Sequence, residues 1–407
     1  MREKTKTLSL FDAFLYALMV GAGESYLPAY VISIGLGEVF AGLLSSLPLV
    51  SGALLQLFTP RFVRKMGSVK SWVVTMTFIQ GLAFIPLIYY SLFYGPRFWV
   101  LFLILTLYWG AGFAVGPAWN YWMGRLLTPE EGDRFFAKRA RWAQWGVLIG
   151  LVLGGLALSR KMEIGPFTSV FGGLFLFAFF SRMISSLIVS IQYFDPGWSR
   201  ESAPGMLESL KIFAAHPGKR KFFRSLFLFQ FAVFISAPFV VPYWLAQLKM
   251  NYYDYMIAIS SLYIGKIVTT WFVEKHRWNP RKMFTTGCLV ISPLPAFWVF
   301  ANESWLIWLL QFVSGMGWGL VEVGLSLVFF KQLTSQERLP FLTVYNLFNS
   351  IAMVTGTVLG SRILAIGQPS FTTYLMVFSL GAVLRLLFYF PLRDSVGKVG
   401  HSHDLNP

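Results

Sequence analysis

Long apolar runs separated by short polar gaps dominate the chain from residue 8 to residue 391. A helix needs about 20 consecutive apolar residues to cross the hydrocarbon layer of a bilayer. Runs of that length fall near 8–33, 38–58, 69–93, 98–123, 140–159, 166–193, 224–246, 252–273, 283–301, 304–330, 340–365 and 370–391, so the pattern predicts twelve membrane-spanning helices. Gaps such as 95–97 and 302–304 are a few residues long, which predicts closely packed hairpins. The longest polar segment, 194–224, carries Pro and Gly around an apolar stripe of Met206, Leu207, Leu210 and Phe213. It reads as a linker with a short amphipathic helix lying along the membrane surface. The expected fold class is an all-α membrane protein with six-helix bundles at 1–193 and 224–392, a linker at 194–223 and a tail at 393–407.

The two halves repeat each other. SYLPAYV (25–31) matches FVVPYWL (239–245), and the next helix of each half carries Ser-Ser-Leu, at 45–47 and 260–262. Further pairs are GAGFAVG (110–116) with GMGWGLV (315–321), and GLVLGG (150–155) with GTVLGS (356–361). A parallel duplication about an axis normal to the membrane accounts for these spacings, and its usual use is alternating access.

Composition agrees: 56% of the 407 residues are hydrophobic and 13% charged, against about 25% charged in a soluble domain. The net charge of +16 is unevenly placed. Arg2, Lys4, Lys6, Arg61, Arg64, Lys65, Lys70, Arg125, Arg134, Lys138, Arg139 and Arg141 share the side of the N-terminus, and only Arg97, Arg160, Lys161 and Lys249 oppose them. The positive-inside rule then places both termini in the cytoplasm of a protein of the plasma (bacterial inner) membrane. This placement explains the charge without a nucleic-acid partner. The first run is long and weakly basic at its start, so it reads as a retained helix and not a signal peptide. Cys288 is the single cysteine and reads as a packed apolar residue, while His216, His276, His401 and His403 fall in loops or the tail. No metal, cofactor or enzymatic activity is expected from this set, and no Walker lysine points to ATP.

The six-plus-six plan and the basic loops FTPRFVRKMGSVK (58–70) and FVEKHRWNPRK (272–282) resemble the major facilitator superfamily over essentially the whole chain. The loops sit where that family has Gly-x-x-x-Asp-Arg-x-Gly, and the likeness implies gating roles for Arg61, Arg64, Lys65, Gly67 and Arg277. Aligning Gly67 with the second glycine puts Pro60 at the first and Arg64 at the aspartate, so the family's aspartate gate is not carried over. GVLIGLVLGG (146–155) is similar to the antiporter stretch Gly-x-x-x-Gly-Pro-x-x-Gly-Gly with Leu151 in place of the proline. That likeness implies export of the drug/proton antiporter type; close helix packing at small residues is the other reading. The family's helix-four arginine would fall at Thr106, so its route for proton coupling is missing.

Away from the first few positions of the runs, a few ionisable side chains fall inside the spans: Asp12, Glu24, Arg182, Lys266, Glu322, Arg362 and Arg385. The three arginines lie near helix ends and are expected to snorkel. Asp12 sits near the start of the first helix, where it complements the positive end of the dipole. Lys266 lies nine positions before Lys275, and Glu322 nine before Lys331. Both are therefore roughly 13 Å deep, at 1.5 Å per residue, and are expected to pair. Glu24 has no obvious partner. A carboxylate in a cavity-lining helix can hold a proton by desolvation and release it when the cavity wets, and the nearby Pro28 lets the helix bend. Glu24, Glu322, Lys266 and Asp12 are thus the candidates for proton or cation coupling.

Tyr26, Tyr30, Trp119, Asn120, Trp122, Tyr243, Trp244, Asn346 and Asn349 offer rings and hydrogen-bonding edges for a small organic substrate; an interfacial aromatic belt is the alternative. The functional expectation is a monomeric, proton-coupled exporter. Proton- or cation-coupled uptake of a nutrient is the alternative, and a transport-inactive receptor or scaffold is the reading from another class.

Overall fold

The computed structural model describes residues 2–397 except 94, 96, 128, 162–168, 195–216, 277, 302, 333 and 334. The expected surface helix around Met206–Phe213 and the candidate Arg277 lie outside the described residues. Among those described, twelve helices are long and apolar enough to cross a membrane. They are α1 Arg2–Ser33, α2 Glu38–Leu55, α3 Val69–Phe93, α4 Phe98–Met123, α5 Lys138–Ser159 and α6 Val170–Ser190. The second six are α7 Pro217–Gln247, α8 Tyr252–Val273, α9 Pro280–Phe300, α10 Ser304–Phe329, α11 Val344–Leu364 and α12 Phe371–Val396. Both α1 and α7 start earlier than the apolar runs, at Arg2 and Pro217. The reason is that Lys, Arg and Glu are good helix formers, so a helix continues past the point where its hydrophobic face ends.

The chain forms two compact units, Met1–Ser202 with Asn251–Ser260, and Ala203–Met250 with Ser261–Pro407. The first turns of α8 therefore belong to the first unit and its remainder to the second. In the first unit α1 packs on α5 and α6, and α3 on α4 and α6. In the second, α7 packs on α11 and α12, and α9 on α10 and α12. The duplication read from the sequence is thus a duplication of packing. At Gly150 a Cβ would stand 2.5 Å from the Leu18 carbonyl oxygen, and at Gly360 it would run into that of Ile235. Absent side chains let the α5 backbone touch α1 and the α11 backbone touch α7. The antiporter-like stretch 146–155 is accordingly a packing surface.

Helix interruptions repeat as well. A 3-10 turn, Glu24–Tyr26, divides α1, and another, Ala237–Phe239, divides α7. In α3 the helix Val69–Leu82 gives way to Phe84–Phe93, and in α9 Pro280–Ile291 gives way to Leu294–Phe300. Pro28, Pro242, Pro86 and Pro295 follow the four breaks. Each lacks the N–H that would continue the ladder. Cys288 is buried in the second unit with Phe222, Phe284, Ile291 and Val328, as a packed apolar residue.

Candidate functional site

The break in α1 places Glu24. Because Pro28 has no amide hydrogen, the Glu24 carbonyl accepts the Leu27 N–H three residues on, which tightens the chain into a 3-10 turn. The Glu24 side chain is only partly buried, and the Tyr108 hydroxyl on α4 donates to its Oε2 at 2.6 Å. Tyr108 is buried and edge-on to Phe84. This corrects the expectation of an isolated acid: the partner is a neutral phenol. Among the described residues no basic side chain is paired with Glu24. The next ring, Tyr26, is fully buried and donates to the Leu151 carbonyl on α5 at 2.5 Å, so it anchors the turn and offers no free hydroxyl.

A charged cluster lies further toward the start of α1. Ser185 Oγ on α6 donates to Asp12 Oδ1 at 2.7 Å, and Arg139 Nη2 on α5 reaches Asp12 Oδ2 at 3.2 Å. Arg182 Nη1 donates to Ser185 Oγ at 2.8 Å, and its guanidinium lies 4.8 Å from the Tyr16 ring centre. Asp12 therefore does more than face a helix dipole. Arg182 is 3% exposed, which overturns the snorkelling expectation. The signal was present in Ser181, Ser185 and Ser186, hydroxyls spaced so that α6 has a polar inner face beside the guanidinium.

In the second unit Lys266 Nζ donates to Glu322 Oε1 at 2.6 Å, the pair expected from equal depth. Their side chains are 17% and 54% exposed, so the pair is open on the glutamate side. Arg385 is a second correction, being 3% exposed and also not snorkelling. Its Nη1 donates to the Ile291 carbonyl at 2.9 Å, and its Nη2 to the Val233 carbonyl at 3.0 Å and Ser236 Oγ at 2.7 Å. Pro295 stands four residues after Ile291, so Arg385 supplies the donor that the proline cannot. Arg362 is exposed near the end of α11, as expected.

The aromatic candidates divide. Trp119 and Trp122 lie in the packed core of the first unit; Arg139 stacks 4.0 Å from the Trp119 ring centre, and the Trp122 indole donates to the Tyr193 carbonyl at 3.1 Å. Tyr243 and Trp244 are likewise buried, with Tyr243 packed on Tyr374 and Phe378. Both rings stand on the π turn Tyr243–Gln247. Asn120 is exposed, and Asn346 and Asn349 are half-buried, with Asn349 reaching Met353 Sδ at 3.4 Å. Tyr30 borders a cavity of about 440 Å³ in the first unit, with Ser33, Tyr90, Lys161, Phe171 and Tyr252, and its buried hydroxyl has no hydrogen-bond partner among the described residues. Arg61 and Lys65 are exposed on the short helix Thr59–Met66, which Gly67 ends in the left-handed conformation at φ 70°. Arg64 lies on the same helix; its side chain is outside the described residues.

The family model of the Major Facilitator Superfamily matches residues 9–357. "Uncharacterized MFS-type transporter YcaD" of Escherichia coli (strain SE11) is 26% identical over 158 residues, 37% of this chain, and the chain spans 39% of that curated relative's length. Among solved structures, the nucleoside transporter NupG superposes with a TM-score of 0.69 at 14% identity, over 96% of this chain and 99% of that one. The E. coli fucose:proton symporter FucP does so with a TM-score of 0.61 at 15% identity, over 95% and 98%. At these identities the two structures share the fold.

Proposed function

We propose that this chain, which belongs to the Major Facilitator Superfamily, is a secondary transporter that couples movement of a small organic molecule to protons at Glu24. The observation that supports this reading is the Tyr108–Glu24 pair at a helix break. A phenol donates to an ionised carboxylate and accepts from a protonated one, so Glu24 keeps a hydrogen bond in both states. A guanidinium or ammonium partner would favour the ionised form alone. Lys266 and Glu322 form such a charged pair within the second unit and are assigned to substrate recognition, not to proton release.

Export in exchange for protons is the first reading of direction. Proton-driven uptake is the second, prompted by the likeness in fold to a protein named as a fucose:proton symporter. Proteoliposomes holding a pH-sensitive dye, screened with sugars, nucleosides and amphipathic drugs, test both. A compound that moves protons through the wild type and not through Glu24→Gln supports the assignment, and the sign of the pH change gives the direction. Equal proton movement in the two proteins removes Glu24 from the mechanism. Binding without flux for every compound bound makes the chain a receptor.

A further inference from the structure

Three consecutive residues of α1, Glu24, Ser25 and Tyr26, are each tied by a tyrosine hydroxyl to a different helix. Tyr108 on α4 holds the Glu24 carboxylate, Tyr26 itself holds the Leu151 carbonyl of α5, and Tyr255 on α8 donates to the Ser25 carbonyl at 2.8 Å. The third tie has a local cause. In a 3-10 turn the Ser25 carbonyl would accept the amide three residues on, and that residue is Pro28. A carbonyl left open in a buried place needs a donor, and the fully buried Tyr255 provides one. Its ring also meets the Tyr26 ring edge-on at 5.6 Å, and the next residue, Met256, is pressed against Gly155 of α5.

Tyr255 stands on α8, of which residues 251–260 belong to the first unit and the rest to the second. We propose that Tyr255 is a positioning residue for Glu24, tying the start of α8 to the turn that carries the acid, so that a displacement of α8 is felt at the carboxylate. The inference rests on the reading of Glu24 as the proton site. It adds the element that sets the acid's geometry. Among the described residues, the titratable and charged groups around this turn are Tyr108 from α4, with Arg182 of α6 and Tyr16 of α1 acting on Tyr108, Tyr26 on α1 itself, and Tyr255 from α8.

Tyr255→Phe removes the hydroxyl and keeps the ring. The readout needs no substrate: infrared difference spectra of the reconstituted full chain are recorded across pH, and the Glu24 carboxyl band is identified by its loss in Glu24→Gln. The pH profile of that band is expected to shift by at least about half a unit, a threefold change in proton affinity, in Tyr255→Phe. Met256→Ala loosens the same turn of α8 without removing a hydrogen bond, and is expected to leave the profile in place. If Tyr255→Phe does not fold, a tyrosine fluorinated beside its hydroxyl at position 255 changes only donor strength and must still move the profile. A Glu24 band that never titrates in the wild type overturns both the proton-site reading and this inference. A band that titrates identically with and without the Tyr255 hydroxyl, or that moves equally in Met256→Ala, overturns this inference alone.

Discussion

The Tyr108 hydroxyl donates to Glu24 Oε2 at 2.6 Å, joining α4 to the broken part of α1. Tyr108→Phe deletes the donor and leaves the ring on Phe84, 5.5 Å away. The acceptor left behind is partly buried, and a typical hydrogen bond contributes about 0.5–1.5 kcal/mol, so thermal unfolding should register a loss of that order. Proton-coupled transport should slow by about tenfold, as 1.4 kcal/mol of lost positioning would give. Wild-type rates at every pH would show that the bond takes no part in the cycle.

Glu24→Gln keeps the size and hydrogen bonding of the neutral acid and cannot release a proton. It should abolish movement against a gradient while substrate still binds, and binding should lose its pH dependence. Counterflow, which needs no net proton movement, should survive. Uphill transport by this variant would send the search for the coupling group to Glu322 or Asp12.

For the pair Lys266 and Glu322, at 2.6 Å, the half-exposed glutamate sets the scale. Breaking the pair with Lys266→Ala should cost between the roughly 1 kcal/mol of an exposed pair and the 3–5 kcal/mol of a buried one. The double change with Glu322→Ala should cost less than the sum of the single changes. Additive losses in chemical or thermal unfolding would mean that the two charges do not support each other.

Arg385 bonds the Ile291 carbonyl at 2.9 Å where Pro295 supplies no N–H. Arg385→Met should destabilise the protein by about 1–3 kcal/mol through orphaned carbonyls. Pro295→Ala restores an amide hydrogen four residues after Ile291, so the loss should shrink in the double variant. An undiminished loss would assign the effect to Val233 and Ser236 alone.

The excess of basic residues on one side predicts that both ends of the chain face the cytoplasm. Reporter fusions at Pro407 and within 194–223 should both give cytoplasmic signals. An external signal from either would reverse the orientation.

The fold was legible because the bilayer leaves few solutions: every apolar run of sufficient length must be a helix, since backbone groups in hydrocarbon need internal partners. The Lys266–Glu322 pair was legible for a related reason, as both lie nine residues from a basic helix end and depth in a straight helix follows from residue count. Arg182 and Arg385 were misread because distance from a helix end says nothing about which face a side chain takes. Arg182 points to Ser185 and Arg385 to the carbonyls of α7 and α9.

By itself the sequence determined the number of spans, the six-plus-six repeat, the proline that lets the first helix bend, and the presence of an acid at position 24. These are properties of composition and spacing along one chain. Only the tertiary structure decided what that acid touches. Tyr108 lies 84 residues from Glu24, and Tyr255 lies 230 from Ser25. Contacts of that kind depend on how each helix is rotated about its axis, and rotation is set by packing against all neighbours at once, which no one-dimensional pattern records.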